Sequence, residues 1–137
     1  MHIDDLDEIP QTAVAFINQD HAEVVRLLRV LVDALRGGAE PRTTADAWSA
    51  LLVFTQEHFE REEAAMREVR FAPYAVHKAE HDRVLVEMSA RFALYLVSGE
   101  STALLEYAAR EVPDWLERHL LSMDHVTAHY IADRRRE

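Results

Sequence analysis

The sequence predicts an all-α fold, an antiparallel up-down four-helix bundle. Three observations predict it. The 137 residues hold only three Gly and four Pro, so long stretches run without a breaker, whereas an all-β fold uses both residues at its many turns. Apolar residues recur at i, i+3 and i+4 through four segments of roughly 20–30 residues, the spacing of one buried helix face. Short stretches rich in Gly, Pro and Ser separate these segments, which makes consecutive helices antiparallel neighbours. One domain over residues 1–137 is expected, since a typical domain runs to roughly 100–150 residues. The 49% hydrophobic content is enough to fill its core.

Residues 1–10 are polar, end in Pro10 and read as an N-terminal arm, with His2 in solvent. The first helix is expected from Thr12 to Leu35, with Val14, Ile17, His21, Val24, Val25, Leu28, Leu31, Val32 and Leu35 inward. Gly37 and Gly38 should stop it, glycine being the preferred residue past a helix C-terminus. The stretch GGAEPRTT is the clearest loop, and Thr43 or Thr44 is the expected cap of a second helix running from about Ala45 to Arg70. Its inward stripe is Trp48, Leu51, Leu52, Thr55, His58, Phe59, Glu62 and Met66. Phe71, Ala72 and Pro73 make a turn into a third helix, from about Pro73 to Val97. Its stripe is Tyr74, His77, His81, Val84, Leu85, Met88, Phe92 and Tyr95. Ser101 or Thr102 should cap the last segment, from about Ala103 to Arg134. Pro113 lies inside it, and an interior proline kinks or breaks a helix, so a bend near Glu111 or two helices are expected.

Composition excludes several functions. The net charge is −10, from 25 acids against 15 bases, which opposes binding to a nucleic-acid backbone. The only basic cluster, Arg134, Arg135 and Arg136, reads as a solubilising tail. With no cysteine, disulfides, thiolate nucleophiles, zinc ribbons and iron–sulfur clusters are ruled out. No apolar run approaches the roughly 20 residues of a membrane span. The N-terminus has no signal-peptide form, and a cytoplasmic protein is expected.

Polar residues on the inward stripes carry the chemical signal. Every helix places a histidine on its apolar face: His21, His58, the pair His77 and His81, and His119. His58 and Glu62 stand four apart, about 40° around a helix, as do His77 and His81. One such histidine is ordinarily a core residue with a hydrogen-bonded partner. Five together, with Glu62 and Asp124, are hard to satisfy that way, because each buried imidazole and carboxylate needs its own partner. A metal supplies every partner at once. Seven donors are too many for one tetrahedral zinc with at most four ligands. Two metals bridged by the two carboxylates use the set naturally, three histidines on one and two on the other. A bundle core with bridging carboxylates favours iron or manganese. The two-histidine metal keeps one coordination position for a small ligand.

The motifs NQDH (18–21), HFEREE (58–63), HKAEH (77–81) and WLERHLLSMD (115–124) resemble those of the hemerythrin family, specifically its single-domain bacterial members. The resemblance covers nearly the whole chain. It implies that His77, His81 and His119 bind one iron, that His21 and His58 bind the other, and that Glu62 and Asp124 bridge them. It also implies that O2 binds at the open position of the two-histidine iron. Two departures stand out: Asp20 where the family often has Gln before the first histidine, and Pro113 ahead of the last ligand pair. The spacing of His119 and Asp124 is also awkward. Five residues are about 140° around an ideal helix, so the pair must flank a two-metal centre or be realigned by a π-bulge.

Other patterns compete less well. HKAEH fits the H-x-x-E-H signature of inverted zinc proteases, with Glu80 as general base, but that reading strands five inward donors, and Glu80 is expected to face solvent. No histidine has a Glu three residues before it, which disfavours a ferritin-like site. His125 and His129 stand four apart but fall off the face of His119, so they are expected at the surface. Glu63, about 100° from Glu62, is expected to be solvated. Phe54, Phe59, Leu28, Val24, Leu120, Met123 and Trp115 lie within one turn of a candidate ligand. They should form a dry wall that slows oxidation of an iron pair. No acid, base or nucleophile stands beside the open position, which favours binding over catalysis. The leading expectation is therefore a non-enzymatic O2 carrier or store, delivering to an O2-consuming partner, as a monomer or small homo-oligomer. Turnover of peroxide or nitric oxide comes second. An O2 or redox sensor would need an output domain, and a closed seven-ligand site disfavours handling of iron itself.

Overall fold

A computed structural model describes residues 1–135, so Arg136 of the basic tail lies outside the described residues. Those residues form helices and no strand. Four long runs make the antiparallel up-down bundle: α1 (Ala15–Arg36), α2 (Pro41–Glu68), α3 (Tyr74–Ser98) and α4 (residues 101–135). Segments 37–40, 69–73 and 99–100 join them, and connections this short place consecutive helices side by side. Along α4, Ser101–Glu106, Val112–His119 and His125–Arg135 are α-helical, while Tyr107–Glu111 and Leu120–Asp124 are π-helical turns.

The buried face of α1 is the predicted stripe, Ile17 to Leu35 with His21 included. Those of α2 and α3 likewise contain His58, Glu62, His77 and His81. The apolar core comes in two parts. The larger runs from Val24 on α1 through Phe59, Val84 and Leu120, and the smaller gathers Val14, Ile17, Ala65, Met66, Ala128 and Ile131. On each helix the candidate donors fall near where these parts meet, so a polar layer crosses the bundle with apolar packing above and below it.

Several boundaries differ from expectation. Helix α2 begins at Pro41, one turn before Ala45. Proline at the first helical position sacrifices no hydrogen bond, because that N–H has no partner in the helix. Glu40 takes the cap position, and Thr44 is buried in the first turn rather than capping. Helix α4 similarly begins at Ser101, with Glu100 at its cap. Helix α1 begins at Ala15, and Thr12 and Asn18 hold its approach: the Thr12 N–H donates to Asn18 Oδ1 at 2.7 Å, and Asn18 Nδ2 returns a bond to Thr12 O at 3.0 Å. Past α2 the chain turns at Arg70, whose φ of 55° is left-handed without a glycine, while the Phe71 N–H closes on Met66 O at 3.0 Å.

The N-terminal arm is not a solvated strand of polar chain. A 3₁₀ turn over Ile3–Asp5 buries Ile3 and Leu6 in the larger core, and His2 is half-buried. Arg36 holds the turn through Asp4 at 3.0 Å, and the terminal amine pairs with Asp114. Pro113 does not divide α4 into two helices. The π turn Tyr107–Glu111 ends two residues before it, and a wider turn relieves both the missing N–H and the ring's clash with the carbonyl four residues back.

Candidate metal centre

All seven residues singled out on the stripes meet in the polar layer, and each is buried. One atom each from Glu62, His77, His81, His119 and Asp124 lies within 4.8 Å of the others, and His21, His58 and Glu62 form a second such group. The imidazoles thus divide three and two. Glu62 belongs to both groups. Asp124 reaches both as well: Oδ1 lies 2.9 Å from His119 Nε2 and 3.0 Å from His77 Nε2, while Oδ2 lies 3.0 Å from His21 Nε2. Glu62 Oε1 is 2.8 Å from His77 Nε2, and its Oε2 is 3.4 Å from His58 Nε2.

The five-residue spacing of His119 and Asp124 is resolved by the backbone. Leu120–Asp124 is the second π turn, and i→i+5 bonding brings residues five apart onto one face.

The polar atoms are incompletely satisfied among themselves. Among the described residues, neither oxygen of fully buried Glu62 makes a hydrogen bond, nor do His81 Nε2 and His21 Nδ1. The short distances from Glu62 to the imidazoles are close approaches without hydrogen-bond alignment. A buried carboxylate in that condition is costly unless a cation compensates it. Electrostatics point the same way. Burial opposes charge on His58 and His77, yet the bond of Asp20 to His58, the bond of Asp124 to His77 and the nearby charges of Glu62 and Asp124 push both up to about 9. Burial, then the neighbouring His77 and His119, pushes His81 down to about 2. Burial likewise works to raise Asp124, but its bonds to His119, His21 and His77 hold it well below the usual carboxylate range. The carboxylates draw positive charge into the layer, and a metal cation supplies it without protonating the inward lone pairs.

Further groups orient the imidazoles. His81 Nδ1 donates to Glu63 Oε2 at 2.9 Å, and His58 Nδ1 donates to Asp20 Oδ2 at 2.9 Å. A carboxylate only accepts, so these bonds leave each Nε2 as a lone pair facing the layer. Arg61 Nε anchors Asp20 at 2.9 Å, and His77 Nδ1 lies 2.8 Å from the Thr127 hydroxyl. Phe59 stacks on His81 with ring centroids 3.8 Å apart, and Trp115 stacks on His119 at 4.5 Å.

Glu63 corrects an expectation. It is only 8% exposed, not solvated. Its position four residues after Phe59 and three before Met66 is the signal that places it on the inward side of α2. Asp20 and Thr127 were likewise not singled out as outer partners. Glu80 is half-buried rather than facing solvent. It accepts a bond from Trp115 Nε1 at 2.8 Å, pairs with Arg83, and lies in neither donor group. His125 and His129 are exposed and outside both groups, their rings 4.6 Å apart.

Comparison with known proteins agrees with this geometry. The family description "Hemerythrin HHE cation binding domain" matches residues 12–130. A bacteriohemerythrin of Aquifex aeolicus is 28% identical over 127 residues, covering 93% of this chain and 96% of its own. One from Methylococcus capsulatus is 30% identical over 113 residues, covering 82% and 84%, and one from Ralstonia nicotianae is 31% identical, covering 88% and 82%. In three dimensions the chain is similar to a crystal structure of a hemerythrin point mutant, with a TM-score of 0.76 at 24% identity, covering 88% of this chain and 90% of the other. That likeness concerns the fold.

Proposed function

The chain belongs to the hemerythrin family, and from that premise we propose that it binds O2 reversibly at a di-iron centre, as a carrier, store or delivery protein rather than an enzyme. In this reading residues 1–137 form one cytoplasmic domain, a monomer or small homo-oligomer, that hands O2 to an O2-consuming enzyme. His77, His81 and His119 hold one iron and His21 and His58 the other, with Glu62 and Asp124 shared. The observation that carries it is Glu62: a fully buried carboxylate, both oxygens without a hydrogen bond, where the three-histidine and two-histidine groups meet.

A ferrous pair held by these residues would supply the electrons for binding O2 and would recover them on its release. The chain's own residues set the conditions for this. Glu63 and Asp20 fix the tautomers of His81 and His58, so that Nε2 faces inward. Phe59 and Trp115 hold the planes of His81 and His119 against rotation. Buried Ile17, Leu28 and Leu120 flank the polar layer and exclude water. Dry surroundings slow loss of electrons to solvent, the requirement that separates a carrier from an oxidase.

Stopped-flow spectroscopy of the anaerobically reduced, iron-loaded protein tests this. Mixing with O2 should give an absorption that disappears on deoxygenation and returns over repeated cycles. Irreversible oxidation at first exposure would refute carriage and favour turnover of peroxide or nitric oxide, or redox sensing.

A further inference from the structure

Apart from the donor cluster, a cavity of about 260 Å³ opens between α3 and α4. Val24, Leu51, Val84, Met88 and Leu116 form its inner wall, all buried members of the larger core. None of the seven candidate iron ligands lines it.

Two features of this place are left over from the metal reading. The first is the π turn Tyr107–Glu111, whose two end residues lie on the cavity wall. The other π turn of α4 aligns His119 with Asp124, whereas this one aligns no donor. Such turns often occur where a helix shapes a functional site. The second is the charge at the mouth. Glu87 is paired with Arg83 at 2.9 Å, Glu111 with Arg91 at 3.3 Å, and Asp114 with the terminal amine. Arg118 also lines the mouth and is exposed, and among the described residues its guanidinium has no carboxylate partner. Arg118 is thus the rim cation without a carboxylate partner among the described residues, placed above an apolar cavity.

Size sets the ligand class. A dry cavity of about 150 Å³ accommodates benzene, so the larger volume here takes a molecule of about ten non-hydrogen atoms. We propose that this cavity binds an amphipathic monocarboxylate, its apolar chain against Val84, Met88 and Leu116 and its carboxylate on Arg118. Burying the chain supplies the driving force, and the guanidinium fork selects a carboxylate head over a neutral or cationic one. Trp115 also lines the cavity and stacks on His119, so its fluorescence reports occupancy.

Octanoate, with ten non-hydrogen atoms, is the probe. Titrated calorimetrically into the iron-loaded protein, it should bind saturably at one per chain and change the tryptophan fluorescence. Octan-1-ol should bind at least tenfold more weakly, and octylamine should not bind. Arg118→Glu changes an exposed side chain and should weaken octanoate at least tenfold while admitting octylamine. Val112→Phe, at the half-buried edge of the cavity, should weaken octanoate and octanol alike. Absence of saturable octanoate binding, equal binding of the three probes, or octanoate binding unchanged by Arg118→Glu would each overturn the proposal. The iron content read on the same samples keeps this result separate from the di-iron reading.

Discussion

Replacing Glu63 with Leu removes a side chain that bonds the back of a candidate ligand and otherwise faces only the Lys78 ammonium at 4.0 Å among its ion pairs. Its Oε2 accepts from His81 Nδ1 at 2.9 Å, and the residue is 8% exposed, so solvent screens the bond little. A hydrogen bond to a charged group contributes about 1.5–3 kcal/mol. Loss of an outer partner of a metal-bound histidine lowers metal affinity roughly 10–100-fold, which is about 1.4–2.7 kcal/mol. The two ranges overlap, so Glu63→Leu should release iron about 10–100-fold more readily to a competing chelator under anaerobic conditions. In the metal-free protein, recovered desolvation of Glu63, whose pKa burial already raises, should offset part of the cost of leaving His81 Nδ1 without an acceptor. Glu63→Gln keeps a carbonyl acceptor and should fall below tenfold. Glu60→Gln, on the exposed side of α2, should match the parent. Iron retention by Glu63→Leu within twofold of Glu60→Gln would refute the idea that this carboxylate holds His81 for a metal.

Further outcomes follow from the same geometry. Glu62→Gln removes one of the two carboxylates that reach both donor groups, leaving less anionic charge to hold two cations a few ångströms apart; it should lower iron content and abolish magnetic coupling even with all five histidines present, as metal analysis and low-temperature magnetism would show. His77→Ala should lose iron and, for a hundredfold weaker site, lower the thermal transition of the iron-loaded protein by roughly 10 °C, while His125→Ala, which is exposed, should do neither; equal losses in calorimetry would contradict this. Arg70→Gly relieves a left-handed residue and should stabilise the chain by about 1 kcal/mol in urea unfolding.

The seven donors were legible because their residue types contradict their positions. A histidine between Ile17 and Val24, or a glutamate four residues after His58, has no apolar reason to sit on a buried stripe. The outer partners were harder to see. Asp20 and Thr127 meet their histidines across helices, at sequence separations of 38 and 50, and a helical face by itself says nothing about the neighbouring element. Its angle from Glu62 alone points Glu63 to solvent, whereas its spacing from Phe59 puts it inward. The threonines at 43 and 44 suggest a cap before Ala45, but Pro41 at the first turn sets the start of α2. The effect of Pro113 depended on helix widening: local chemistry forbids a regular helix there, and the π turn before it lets α4 continue.

The most direct test of a di-iron centre is Mössbauer spectroscopy of the protein reconstituted anaerobically with ⁵⁷Fe, with total iron measured on the same sample. Three imidazoles belong to one donor group and two to the other, with Glu62 common to both. The expected result is two irons per chain in two unequal ferrous environments, becoming an antiferromagnetically coupled pair on oxidation. One iron per chain, or two that remain magnetically independent after oxidation, would contradict it.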